Sequence, residues 1–178
     1  MSWILLAYLS MLGIFLLGFL LSPRFYRLPV PDRLPLSIII CAKNEAANIE
    51  TCLLSILQQD YPAFLVELIV VDDGSSDKTG TIAAEVLQQA PFKYTLLRNE
   101  TSLGKKRSLA KAIAASSHPV IITRDADTFC ESTEYLRSMA AYFEQEQMDV
   151  VIAPIAISSA RGLLGLLQTL ENRVLRVF

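Results

Sequence analysis

Leu65–Thr79 reads LVELIVVDDGSSDKT, and its two halves follow different rules. Leu65 to Val71, apolar except for Glu67, is rich in Val and Ile, which suits a strand covered on both faces. Asp72 to Asp77 is a polar turn of Asp, Gly and Ser, and Asp77 or a neighbouring Ser can cap a following helix that carries Ile82, Ala83, Val86 and Leu87. Turn chemistry accounts for Gly74 to Asp77. It accounts less well for two adjacent carboxylates that close an aliphatic strand, because their mutual repulsion needs a cation or hydrogen-bond donors to offset it. The pair therefore points to a functional role for at least one of Asp72 and Asp73.

The same alternation extends in both directions. Leu36 to Ala42 (LSIIICA) predicts another buried strand, and Ile49, Cys52, Leu53, Ile56 and Leu57 repeat at helical spacing until Tyr61-Pro62. Downstream, Phe92 to Arg98 predicts a third strand, Lys105 to Ala115 a helix and Val120 to Thr123 a fourth strand. A helix marked by Tyr135, Leu136, Met139, Tyr142 and Phe143 and a fifth strand over Asp149 to Ile157 follow. Strict alternation of this kind predicts an α/β fold, a mostly parallel Rossmann-like sheet with helices on both faces. In such a sheet ligands lie outside the carboxyl ends of the strands, near the point where strand order reverses. Asn44 and Glu45, Asp72 and Asp73, and Asp125 and Asp127 all fall at that edge.

Two of these groups carry further chemistry. In Asp125-Ala126-Asp127 two carboxylates one residue apart can direct oxygens at one point, which suits a hard divalent cation that also holds phosphate oxygens. Gly104-Lys105-Lys106-Arg107 opens a helix with three cations, against the sign of the macrodipole. A solvated basic face explains Lys106 and Arg107. An anion bound at the helix start would turn the conflict into a benefit, and Lys105 is the candidate to reach a pyrophosphate.

The N-terminus is of another kind. Residues 3–21, WILLAYLSMLGIFLLGFLL, carry no charge, and as a helix they would extend roughly 28 Å, close to a bilayer core. A cleaved signal peptide would need a basic start, a shorter apolar run and a small-residue cleavage site. Here only Met1 and Ser2 precede the run and Arg24, Arg27 and Arg33 follow it, so the expectation is a transmembrane helix over 1–22 with the rest cytoplasmic. That predicts a single-pass protein of the cell inner (plasma) membrane. Pro23, Pro29, Pro31 and Pro35 make 23–35 a stiff juxtamembrane spacer. Of the 178 residues 52% are hydrophobic, yet once the apolar segment is set aside the remainder has ordinary soluble character. This excludes a disordered chain, a collagen-like repeat and a polytopic transporter. A net charge of -2 and a pI near 5.4 give no reason to expect nucleic-acid binding. Cys41, Cys52 and Cys130 are too few and too scattered for a disulfide framework or a zinc site, and His118 reads as a loop residue.

Four segments in order resemble glycosyltransferase family 2. They are C-A-K-N-E-A-A-N-I after the first strand, V-D-D-G-S-S-D-K-T after the second, N-E-x-x-x-G-K-K-x-x-L-A-K-A-I at the third helix and R-D-A-D-T after the fourth strand. The resemblance runs from about Pro35 to Ile157, with Cys41-Ala42-Lys43 standing where the family often has Pro-x-Arg or Pro-x-Tyr. It implies a GT-A fold, a nucleotide-sugar donor, Mg²⁺ or Mn²⁺ and inverting transfer. By position it places Asn44, Glu45, Asp72 and Asp73 beside the base and ribose, Lys105 close to the nucleotide, Asp125 near ribose and diphosphate, and Asp127 on the metal. The 36–157 segment is then a nucleotide-sugar-binding half.

Inverting transfer needs a base for the acceptor hydroxyl. The resemblance implies an acidic residue from a later segment, expected beyond Phe178. Residues 158–178 read either as the start of an acceptor half or as an amphipathic helix on a membrane surface. The expectation is a membrane-anchored, metal-dependent inverting transferase that moves a sugar from a nucleotide-sugar, a UDP-sugar foremost, to a glycan or lipid-linked acceptor. The alternatives are a non-catalytic membrane-tethered nucleotide-binding module and a haloacid-dehalogenase-type phosphatase. The latter's signature would want Thr or Val two residues after the second Asp, where Phe129 stands.

Overall fold

A computed structural model of the protein describes residues 2–21, 33–146 and 149–153. The chain divides into two compact units, one spanning Leu28–Asp149 and the other containing the N-terminal helix. That helix, α1 (Ser2–Leu21), has 20 residues and no charged side chain. Taken over the described residues alone, no helix is long and apolar enough to cross a membrane, so the expected span rests on the sequence. Most of the expected spacer and all of 158–178 lie outside the described residues.

The larger unit runs β1 (Leu36–Ala42), α2 (Ile49–Leu57), a single 3₁₀ turn at Ala63–Leu65, β2 (Val66–Asp72), α3 (Thr79–Leu87), β3 (Lys93–Arg98), α4 (Lys105–Ala115), β4 (Val120–Asp125) and α5 (Tyr135–Glu146). Its strands form one sheet in the order β3-β2-β1-β4, and all three pairings are parallel. The two central strands are the aliphatic ones: every residue of β2 is buried, and so is every residue of β1 except the half-buried Cys41. The flanking β3 and β4 are partly exposed, as edge strands are.

The expected fifth strand is corrected in part. Asp149 to Ala153 form no strand, and 154–157 lie outside the described residues. Val150 and Ile152 are exposed, and among the described residues no strand pairs with this segment, so β propensity alone does not make a strand.

Strand order fixes where the helices go. From β1 through β2 to β3 the chain moves one way across the sheet, and from β3 to β4 it returns past β1. Right-handed crossovers therefore put α2 and α3 on one face and α4 on the other. The faces agree: Ile39, Ile69 and Val71 pack with Ala112 of α4, and Leu109 and Cys41 border that cluster. Ile38, Ile40, Leu68 and Val70 alternate to the opposite face and are fully buried, as are Leu53 and Ile56 of α2 and Leu87 of α3.

One buried charge belongs to this frame. The Glu67 carboxylate accepts hydrogen bonds from Ser37 Oγ (2.5 Å), from Ser117 N and Oγ (both 2.5 Å) and from Lys93 Nζ (3.1 Å). It thereby joins β1, β2, β3 and the turn before β4 at the amino ends of the strands. Burial alone would raise its pKa, but the bonds from Ser117, Ser37 and Lys93 prevail and lower it to about 2.

Candidate functional site

The reversal of strand order falls between β1 and β4, whose carboxyl ends meet with Cys41 paired to Asp125. A cavity of about 370 Å³ opens there, lined by Cys41, Ala42, Lys43, Glu45, Asp73, Ser102, Gly104, Lys105 and Asp125 to Asp127. A larger hollow of about 460 Å³ lies at the opposite, amino edge of the sheet, walled mainly by Ala63, Phe64, Pro91 and Phe92. It is apolar and lacks converging acids, so the chemistry belongs to the carboxyl edge.

Of the residues the sequence singled out, Glu45, Asp73, Lys105, Asp125 and Asp127 are brought together around the cavity, whereas Asn44 and Asp72 do not line it. Asn44 serves the scaffold. It adopts a left-handed φ of 56°, which Asn tolerates, its N–H donates to Ser75 Oγ (3.0 Å), and its side-chain oxygen accepts from Ser76 N (2.9 Å). Glu45 N donates to Thr79 Oγ1 (2.8 Å) and Ala46 N to Asp77 Oδ2 (3.2 Å), so the loop after β1 is laced to the loop after β2. Asp77 also accepts from Thr79 N (2.9 Å), capping α3 from just outside it.

The two adjacent carboxylates turn out to be offset by donors. Asp72 accepts from Ser75 N (3.1 Å), and its other oxygen lies against Gly80 in the first turn of α3, where a Cβ would stand 2.1 Å from it. Asp73, 3% exposed, takes five donors. Its Oδ1 accepts from Asn99 Nδ2 (2.8 Å), Leu103 N (2.8 Å) and Ser108 Oγ (2.7 Å), and its Oδ2 from Ser102 Oγ (2.8 Å) and Gly104 N (2.9 Å). Burial pushes its pKa up, but the bonds from Leu103, Ser108, Asn99 and Ser102 outweigh it and hold the carboxyl well below the usual range. Asp73 thus supplies from inside the chain the anion that the cationic start of α4 called for.

Gly74 completes the junction. Its φ of +67° lies in the left-handed region, and a Cβ would stand 2.6 Å from Ser102 N, so the turn after β2 can press against the 101–104 loop.

The exposed half of the site is acidic with two lysines. Lys105 Nζ lies 2.6 Å from Asp125 Oδ1, and this pairing raises the lysine's pKa. Lys43 Nζ donates to Ser102 Oγ (3.1 Å). Asp127 is exposed and takes no hydrogen bond from any described residue. The donor set fits a hard divalent ion: Asp125 and Asp127 offer carboxylate oxygens, and no group of three His, Cys, Asp or Glu among the described residues forms a closed cage. An ion held by one or two carboxylates keeps its remaining positions for water and phosphate oxygens.

The sequence reading missed the residues that shape this edge. Arg124 reaches Thr128 Oγ1 (3.0 Å) and Cys130 Sγ and stacks on Tyr135, 5.0 Å from the ring centroid. Thr128 in turn closes the Asp125-Ala126-Asp127 turn by donating to Asp125 O through N (3.2 Å) and Oγ1 (2.7 Å). Ser108 was findable, since it stands one turn after Gly104 on the same helix face. Ser102 and Lys43 sit in loops with no period to reveal them.

Comparison with known proteins agrees with this geometry. The family model described as glycosyl transferase family 2 matches residues 37–173. The β-monoglucosyldiacylglycerol synthase of Trichormus variabilis is 31% identical over 155 residues, 85% of this chain and 33% of that protein. The chain spans about a third of the length of the curated relatives it matches. Among solved structures, the Pyrobaculum calidifontis mannosyltransferase PcManGT in complex with GDP-Man and Mn²⁺ superposes with a TM-score of 0.65 at 23% identity, covering 82% of this chain and 45% of that one. Staphylococcus aureus TarS 1-349 in complex with UDP-GlcNAc gives 0.61 at 25% identity over 73% of this chain and 37% of that one. With its parallel sheet, its acids at the strand-order reversal and a model match over most of its length, the chain belongs to glycosyl transferase family 2.

Proposed function

We propose that the chain is the donor-binding part of a membrane-anchored inverting glycosyltransferase, which uses a nucleotide-sugar, a UDP-sugar foremost, and Mg²⁺ or Mn²⁺ to glycosylate a glycan or lipid-linked acceptor. The observation that carries it is the convergence of Lys43, Glu45, Lys105, Asp125 and Asp127 on one cavity at the reversal of strand order. The neighbour solved with UDP-GlcNAc supports the choice of nucleotide, and the one solved with Mn²⁺ supports the metal. Family membership sets aside the dehalogenase-type phosphatase.

Asp127, with Asp125, would hold the cation, whose chemistry is to neutralise the charge that gathers on a departing diphosphate. Lys105 and Lys43 bring positive charge to the same oxygens. Asn44, Glu45, Asp72 and Asp73 shape the base and ribose end, Glu45 and Asp73 from the cavity wall and the other two by fixing the loops. Every carboxylate on the cavity wall has a task, Asp73 with its donors, Glu45 with Asn48 (2.7 Å), and Asp125 and Asp127 with the cation. None of these carboxylates is assigned as the base that takes the acceptor's proton. For the membrane, the support is that α1 presents exposed Trp3, Leu6, Met11 and Ile14 and no charge, with arginines only behind it in sequence. The catalytic unit is then cytoplasmic.

Calorimetric titration of the full chain with UDP, with and without Mn²⁺, tests this reading. Binding that requires Mn²⁺ and disappears in Asp127→Ala is expected. Nucleotide binding that ignores the metal would overturn it.

A further inference from the structure

We infer that Lys105 is a resident counter-ion of the metal seat, which gives up Asp125 when cation and nucleotide arrive together, so that the two ligands enter cooperatively. This rests on reading the cavity as a nucleotide and metal site, and it adds how the charges of that site are balanced by the chain's own residues. Lys105 Nζ sits 2.6 Å from Asp125 Oδ1, on one of the two carboxylates that would take the cation. The lysine side chain is 71% exposed and the aspartate 56%, so the pair is of the weak, exchangeable kind.

The lysine has somewhere else to go. It is the first residue of α4, its own backbone is anchored because Asp73 grips the N–H groups of Leu103 and Gly104, and its ammonium is the mobile part. Asp73 does not compete for that ammonium, since five donors already occupy it. Asp127 stands at the other side of the turn without a hydrogen-bond partner among the described residues.

Charge balance then gives the order of events. With Lys105 in place, Asp125 is neutralised and Asp127 is not. A divalent cation alone must displace an ammonium from Asp125 and leave that ammonium beside the newly arrived positive charge. A diphosphate alone finds its lysine occupied and two carboxylates facing it. When both bind, the cation satisfies the two carboxylates and the freed ammonium meets the phosphate oxygens. Each ligand therefore strengthens the other, and by linkage by the same factor.

The test is a binding cycle on the full chain with Mn²⁺ alone, followed by the paramagnetic resonance of free Mn²⁺, UDP alone, and both. In the parent, each ligand is expected to tighten the other at least ten-fold. In Lys105→Ala, Mn²⁺ alone should bind about two- to five-fold tighter, the size of an exposed ion pair, while UDP with saturating Mn²⁺ binds more weakly and the coupling factor falls. Lys105→Arg, which can remake the pair, should stay near the parent. Mn²⁺ affinity that is unchanged or lower in Lys105→Ala would overturn the exchange while leaving the nucleotide and metal site standing. A parent that binds neither ligand removes the site and the exchange with it. The thermal midpoint serves as the folding control, and for so exposed a side chain it should move little.

Discussion

Replacement of Asp73 by Asn is the sharpest probe of how this edge is built, because it changes one atom among five donors. Three of them converge on Oδ1, from Asn99, Leu103 and Ser108, and two on Oδ2, from Ser102 and Gly104. Asparagine keeps one acceptor oxygen. Turned toward the group of three, it retains those bonds but without charge assistance, a loss of about 1 kcal/mol each. Its NH₂ then faces Ser102 and Gly104. The Ser102 hydroxyl can rotate and accept, but the Gly104 N–H cannot, and a buried orphan amide costs about 1–3 kcal/mol more. The opposite rotamer orphans Leu103 N instead and is no cheaper. The expected loss is about 4–6 kcal/mol, at the upper end for a single substitution, which is a fall in Tm of roughly 15–20 °C for a unit of this size. Circular dichroism against temperature measures it, and amide hydrogen exchange localises it to Leu103 and Gly104. The sign with pH is also fixed: Asp73 titrates below its ordinary 3.8, so its contribution is complete above that value and fades as pH falls, and parent and variant converge in acid. A fall of less than about 4 °C with the Gly104 amide still protected would refute the reasoning.

Two further substitutions test the frame. Glu67→Gln should cost about 3 kcal/mol at pH 7 by urea unfolding, because the buried carboxylate's pKa is lowered from 4.5 to about 2, and the deficit should shrink as pH falls from 4.5 toward 2. A deficit that does not change with pH would mean that lost packing, not charge, is responsible. Gly80→Ala puts a Cβ 2.1 Å from Asp72 Oδ2, so although Ala is the better helix former by about 1 kcal/mol, a net loss of roughly 1–2 kcal/mol is expected, and a raised Tm would show that Asp72 is free to move.

How much of this was legible in the sequence depended on the range of the interaction. β1 and α4 have the boundaries their patterns predict, α2 begins at Ile49 as expected but ends at Leu57, short of Tyr61-Pro62, and β2, β3 and β4 differ by one or two residues at their ends. Those elements are decided by aliphatic runs and helical spacing, which are local. The meeting of Asp125 with Lys105 was legible only by topology, since twenty residues separate them and the parallel order β1-β4 brings them together. What could not be read was which of two adjacent acids faces the cavity. Asp73 lines it and Asp72 turns to α3, a choice made by Gly80 and by the donors of a loop thirty residues away. Residues 149–153 depart from the expectation for a related reason: their Val and Ile satisfy a propensity, while a strand also needs a neighbour to pair with.

The internal anion at α4 also decides how ready the site is. Lys105-Lys106-Arg107 opposes the helix dipole, and if a bound phosphate were the only remedy, α4 would begin to order only with ligand present. Asp73 removes that dependence, because its carboxylate already satisfies Leu103 N and Gly104 N. The 102–104 loop, the first turn of α4 and the base of Lys105 are therefore in place before any nucleotide binds, and little ordering entropy is charged against affinity. The adaptable part is confined to side-chain ends, the ammonium of Lys105 and the carboxylates of Asp125 and Asp127, all exposed. An edge built this way separates folding from binding: substitutions at Asp73 act through stability, those at Asp127 and Lys105 act on ligand and metal, and a fall in thermal midpoint of more than about 2 °C in Asp127→Ala, the equivalent of about 0.5 kcal/mol, would contradict that division.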